Sequence, residues 1–144
     1  MAFETISPEK ANVIPYSEDG TINRCHVSDT VLYKGAIVKL LSTDKVALVA
    51  AVTDVPYGVV IVPNRAVGEE VTVQTYFAAV CEGQADAAVT RGNLLAVSGF
   101  DATTKKADYK VAVATNFVSA FALTTAADNA ALTVGILRAP YKHT

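Results

Sequence analysis

Along residues 33–137, hydrophobic and polar positions alternate in short runs divided by turn residues. Residues 36–41 form the first run and the turn Ser42-Thr43-Asp44-Lys45 ends it. Residues 46–52 form the second, closed by Asp54-Val55-Pro56, and residues 57–62 the third, stopped by Pro63-Asn64. Past the turn Ala66-Val67-Gly68-Glu69 the period is two. Val71, Val73, Thr75 and Phe77 fall on one face and Thr72, Gln74 and Tyr76 on the other, as a half-buried strand requires. Residues 84–92 read as a short helix or a loop. Strands follow at 94–97, 109–114, 117–123 and 132–137, with turns at Ser98-Gly99 and Thr103-Thr104-Lys105-Lys106 and a turn or single helical turn over 125–130. No segment sustains a 3.6-residue apolar period. The pattern predicts an all-β fold: a compact β-barrel or β-sandwich of short antiparallel strands, with one short helix.

Residues 1–30 differ from the rest. Pro8, Pro15 and the turn-like Ser17-Glu18-Asp19-Gly20 interrupt only short apolar pieces such as Val13-Ile14. This reads as an extended N-terminal arm, with one or two short strands, ahead of a β-domain over 31–144. Its apolar residues Phe3, Ile6, Pro8, Val13, Ile14 and Tyr16 lie in a segment that does not look able to bury them by itself. They are the candidate contacts to a partner, the alternative being an arm that pairs with its own barrel.

Composition narrows the class. The chain has 144 residues, a mass of 15.1 kDa, 51% hydrophobic and 18% charged residues, and a mean hydropathy of +0.32. That is too apolar for a disordered chain. Small and β-branched apolar residues dominate and Trp is absent, which favours pleated surfaces and close packing. A net charge of −2 and a pI near 5.6 lack the basic footprint of a nucleic-acid binder. The longest unbroken apolar run, 46–52, is far short of the ~20 residues that span a bilayer. The N-terminus shows no secretory pattern, so the expectation is a soluble chain made in a reducing cytoplasm. There Cys25 and Cys81 are more often reduced than paired.

The residues for chemistry are sparse. Cys25 and His26 are adjacent, but in an extended segment neighbours point to opposite faces and do not share a proton. The pair reads as a half-buried Cys beside a surface His. Cys25, His26, Cys81 and His143 fit no zinc-ligand pattern. Glu69 and Glu70, and Asp101 and Asp108 flanking a lysine-bearing turn, read as solvated caps rather than a converging acid–base pair. The glycines look like turn and strand-boundary residues, not a phosphate loop. No enzyme, no cofactor and no metal are expected.

One ordered set of motifs resembles a known family. It runs Lys34-Gly35-Ala36-Ile37-Val38, Pro56-Tyr57-Gly58-Val59-Val60, Val67-Gly68-Glu69-Glu70-Val71-Thr72-Val73, Val89-Thr90-Arg91-Gly92-Asn93-Leu94-Leu95, Ser119-Ala120-Phe121-Ala122-Leu123 and Leu132-Thr133-Val134-Gly135-Ile136-Leu137. Over residues 33–137 this order is similar to the capsid cement, or decoration, proteins of tailed bacteriophages. It departs from them at Ser119, where their motif has glycine, and in the loop 101–108. The resemblance implies a virion protein on the outer surface of the capsid, made in the bacterial host cytoplasm. It further implies a homotrimer near local three-fold axes that clamps neighbouring major capsid protein subunits, with no nucleic acid and no membrane as partner. Two other classes share the β-richness. A head-fibre or display module would bind host-surface glycans through aromatics such as Tyr57, Tyr76, Tyr109 and Tyr141. A small ligand-binding β-barrel would need a lined cavity.

Overall fold

The computed structural model describes residues 13–15, 22–42, 44–75 and 79–144, with side chains from residue 26 onward. The described residues are all-β. The strands are β1 (Val13–Pro15), β2 (Ile22–Val27), β3 (Ile37–Leu40), β4 (Val46–Leu48), β5 (Gly58–Val62), β6 (Glu70–Thr75), β7 (Ala79–Ala85), β8 (Leu94–Asp101), β9 (Lys106–Val111), β10 (Phe117–Ala122) and β11 (Ala131–Lys142). They form a five-stranded sheet in the order β2-β6-β5-β3-β4. A second sheet runs β1-β7-β11-β10-β8-β9, and a parallel β7–β9 pairing nearly closes it into a barrel.

The expected short helix over 84–92 is not there. Gln84 and Ala85 finish β7, and Val89 bridges Ala126 through reciprocal backbone bonds of 2.8 and 2.9 Å. β7 escapes sequence reading because Glu82, Gly83 and Gln84 look like turn residues. Gly83 is in the strand because of what faces it: a Cβ there would lie 2.5 Å from Tyr109 Cε2. The Tyr109 ring, fully buried, takes the space a side chain at 83 would need. At this point the space between β7 and β9 is filled by the ring itself.

Residues 22–75 and 79–142 have the same architecture. Replacing β2, β3, β4, β5 and β6 by β7, β8, β9, β10 and β11 turns one strand order into the other. The registers correspond too. Val38 opposite Leu48 and Gly58 matches Leu95 opposite Val111 and Ala120. The parallel bridge Val27–Lys45 matches Gln84–Asp108. Gly35 N–H donates to Val60 O (2.9 Å) and Gly92 N–H to Ala122 O (2.8 Å), each glycine having a positive φ. Gly68 N–H donates to Ser28 O, and Asn129 N–H to Ala85 O, both at 2.8 Å and both from left-handed residues. The fold is a tandem of two copies of one five-stranded unit.

The units are fused by packing. In the first, Leu32, Ala36, Val38, Val46, Val60, Val71 and Val73 make an inner core. Ile37 and Val59, on the opposite face of β3 and β5, and Val49, just after β4, join the core of the second unit, which holds Leu95, Tyr109, Ala120 and Ile136. Each such aliphatic side chain removed from water stabilises the fold by about 1.5–3 kcal/mol before entropy is counted.

Candidate interaction surfaces

The edge of the second unit carries the first surface. β7 is covered on one side by β11. On the other, β9 pairs Gln84 and Ala85, and β1 pairs the first three residues, with Val13 opposite Cys81, Ile14 opposite Val80 and Pro15 opposite Ala79. An exposed strand edge presents unpaired N–H and C=O groups and accepts any extended chain, and here the chain's own residues occupy it. Of the candidate partner contacts, the structure brings Val13 and Ile14 together on β7, while Phe3, Ile6, Pro8 and Tyr16 lie outside the described residues. Residues 22–27, within the segment read as an arm, form β2 and pair with β6.

His26 is not a surface residue. It is 5% exposed, with Nε2 3.1 Å from the Tyr57 hydroxyl and its ring edge-on to Tyr57. Tyr57 in turn packs on the first unit's inner core. Cys81 is a buried free thiol. Burial foremost, with Glu82 adding, pushes its pKa up to about 12, so it stays protonated and a poor nucleophile. Among the tyrosines that a recognition loop would use, Tyr109 is in the core, Tyr57 is half-buried, Tyr141 is exposed, and Tyr76 lies outside the described residues.

Asp101 and Asp108 do not behave alike. Asp101 accepts backbone bonds from Thr104 and Thr103 at 2.8 and 2.7 Å and one from Gln84 Nε2 at 2.9 Å. These hold its carboxyl below the usual range, the Thr104 bond contributing most. It is the cap of its turn. Asp108 is pushed up to about 6, by burial first and then by Asp86 and Asp101. Ser98 Oγ donates to Asp86 at 2.7 Å and lies 3.3 Å from the Asp108 carbonyl. Among the described residues no three His, Cys, Asp or Glu side chains converge as metal ligands.

A second surface is apolar. Leu94 is 39% exposed where β8 begins, whereas Val111, 38% exposed at the end of β9, lies opposite Leu95 and so on the other face. Phe121, half-buried, sits opposite Leu94 on β10. Sequence reading placed these residues in strands and passed over their outward face. The unequal exposure of equivalent positions in the two units reveals it.

No family model matches this chain, and no curated protein matches it. Among solved structures it is similar to the crystal structure of the head fibre gp8.5 N base of bacteriophage phi29. The TM-score is 0.55 and the identity 16%, over 85% of this chain and 99% of that one. At this identity the likeness is one of fold.

Proposed function

We propose that this chain is a structural protein of a tailed-phage head, a decoration protein that binds the outer capsid surface as a homotrimer and clamps neighbouring major capsid subunits. The observation that carries this reading is the fold shared with nearly the whole of a head-fibre base. It comes together with the ordered strand motifs over residues 33–137. The tandem of β-units with packed cores suits a clamp, which needs shape and edges rather than a cavity. Three linked copies bind as one multivalent body, so weak contacts sum to lasting attachment. Binding only the expanded shell stabilises that shell by mass action. In this role the protein is not an enzyme and takes no cofactor.

The same likeness favours a second reading, in which the chain is the attachment base of a head fibre. One experiment separates the two. Purified protein is added to heads assembled without it, and the heads are imaged and then stressed by heat or chelator. Density at local three-fold positions with raised resistance to rupture is the outcome expected of a clamp. Density without added resistance favours the fibre base, and no binding overturns both. Removing residues 1–12, which leaves the β1–β7 pair whole, tests whether the arm makes the shell contact. Loss of binding by a folded truncation is expected.

A further inference from the structure

We propose that the exposed apolar face around Leu94 and Phe121 is the seam at which a second copy of this chain docks head to tail, repeating between molecules the packing found between the two units within one. The tandem itself supplies the argument. In the first unit Ile37 and Val59 lie opposite each other on β3 and β5, and Val49 N–H donates to Ile37 O at 3.0 Å. The second unit covers this patch, leaving Ile37 1%, Val49 1% and Val59 0% exposed.

The equivalent residues of the second unit are Leu94, Ala112 and Phe121. Leu94 lies opposite Phe121, and Ala112 N–H donates to Leu94 O at 2.9 Å. The apolar character persists, but the cover is incomplete: Ala112 is buried, Phe121 is half-buried and Leu94 is 39% exposed. An apolar face that one unit buries fully and its equivalent leaves partly open at Leu94 and Phe121 calls for the same kind of cover. The partner that fits is the first unit of another copy. A contact of this kind joins different surfaces and propagates, so it closes into a ring where the rotation permits. A ring of three is the form consistent with the clamp.

The contact has a definite register. Within the chain, Cys81 Sγ is 3.8 Å from Gly35 O. By the strand correspondence Cys81 is equivalent to Arg24 and Gly35 to Gly92. The Gly92 turn of one copy is therefore placed against β2 near Arg24 of the next.

The inference rests on the reading of the chain as self-associating and not on what the assembly binds. Light scattering of the full chain is expected to give three times the monomer mass. The Leu94→Glu/Phe121→Glu variant is expected to give the monomer mass with unchanged far-UV circular dichroism. A variant that keeps the trimer mass overturns the seam while leaving the clamp reading intact. A wild-type monomer at micromolar concentration, on heads as well as free, overturns the self-association beneath both. An Arg24→Cys/Asn93→Cys variant with Cys25→Ser, so that the native neighbouring thiol cannot pair, covers the case in which the double charge prevents folding. Oxidation is expected to link copies into a disulfide ladder ending at three, which neither single variant forms, and absence of the ladder overturns the seam.

Discussion

The two units share a backbone plan and fill it differently. In the second, Tyr109 of β9 lies across Gly83 of β7, a large side chain over none. The equivalent positions in the first unit are Val46 and His26, two side chains of middling size, and Tyr57 enters from the head of β5 to meet the His26 ring. Charge is redistributed as well. Lys45 bridges Asp29 at 3.2 Å at the closing corner of the first unit, whereas the corresponding Asp108 and Asp86 of the second repel. Strand order, register and left-handed turns are thus what the duplicated plan requires, while volume and charge are exchanged between facing positions. Cores tolerate such exchanges when total volume is kept.

The largest effect should come from emptying the second unit. Tyr109→Ala removes a fully buried ring and is expected to cost about 3–5 kcal/mol, against about 2 kcal/mol for Val46→Ala in the first unit. Gly83→Ala, whose Cβ meets Tyr109 at 2.5 Å, should cost about 1–3 kcal/mol by overpacking. Its penalty should shrink in a Tyr109→Val background, because the two positions share one volume. Urea denaturation of the four-member cycle measures this. Additive costs would mean that the pair does not trade space.

The same substitution should act with opposite sign in the two units. The Tyr57 hydroxyl bonds His26 at 3.1 Å, so Tyr57→Phe leaves a buried imidazole without that partner and should cost about 1 kcal/mol. The Tyr109 hydroxyl is fully buried with no hydrogen-bond partner among the described residues. Tyr109→Phe should therefore be neutral or stabilising by up to about 1 kcal/mol. Thermal melts of both variants decide it, and equal losses would break the contrast.

How much of this was legible follows from the same residues. The runs at 36–41, 57–62, 71–75, 117–123 and 132–137 fall on strands because apolar, β-branched stretches bounded by turn residues mark them. β7 was hidden because the reason for its glycine, the Tyr109 ring, comes from a strand far along the chain. The tandem was hidden because so few equivalent residues are identical. Asp29 and Asp86, Gly35 and Gly92, Thr72 and Thr133, and Val73 and Val134 are among them. A turn needs its glycine and a strand its alternation, so these signals mark separate elements without declaring a repeat. The burial of His26 was missed because its partner Tyr57 lies far along the chain, just ahead of β5. The apolar seam could not be read from any single strand, since an exposed Leu94 differs from a buried Ile37 only by what covers it.

The charge difference is testable by pH. The Asp108 carboxyl, ordinarily near 3.8, is raised to about 6 by burial and by its acidic neighbours. Between those values the folded chain binds the proton that the unfolded chain has released, so this group lowers stability as pH rises from 4 to 6 and keeps it lowered above. Asp108→Asn is expected to raise the melting temperature at pH 7, with the difference vanishing near pH 4. Asp108→Lys should do the same by rebuilding beside Asp86 the pair that Lys45 makes with Asp29. A difference between wild type and Asp108→Asn that stays constant from pH 4 to pH 7 would show that the fold does not raise the Asp108 carboxyl.

The smallest effect is the most direct probe of equivalence. Gly68 and Asn129 occupy the same left-handed position, with φ of 83° and 62°, and donate to the equivalent carbonyls of Ser28 and Ala85. A Cβ added at Gly68 meets nothing within 4 Å, so Gly68→Asn faces only the backbone preference. Asn is among the residues that adopt this conformation most readily. Exchanging the two residues, as Gly68→Asn and Asn129→Gly, should change stability by about 0.5 kcal/mol or less each. Gly68→Val, branched at Cβ, should cost well over 1 kcal/mol at the same position. If Gly68→Asn proved as costly as Gly68→Val, the two turns would be alike in hydrogen bonding only, and the correspondence between the units would hold for their strands but not for the turns that join them.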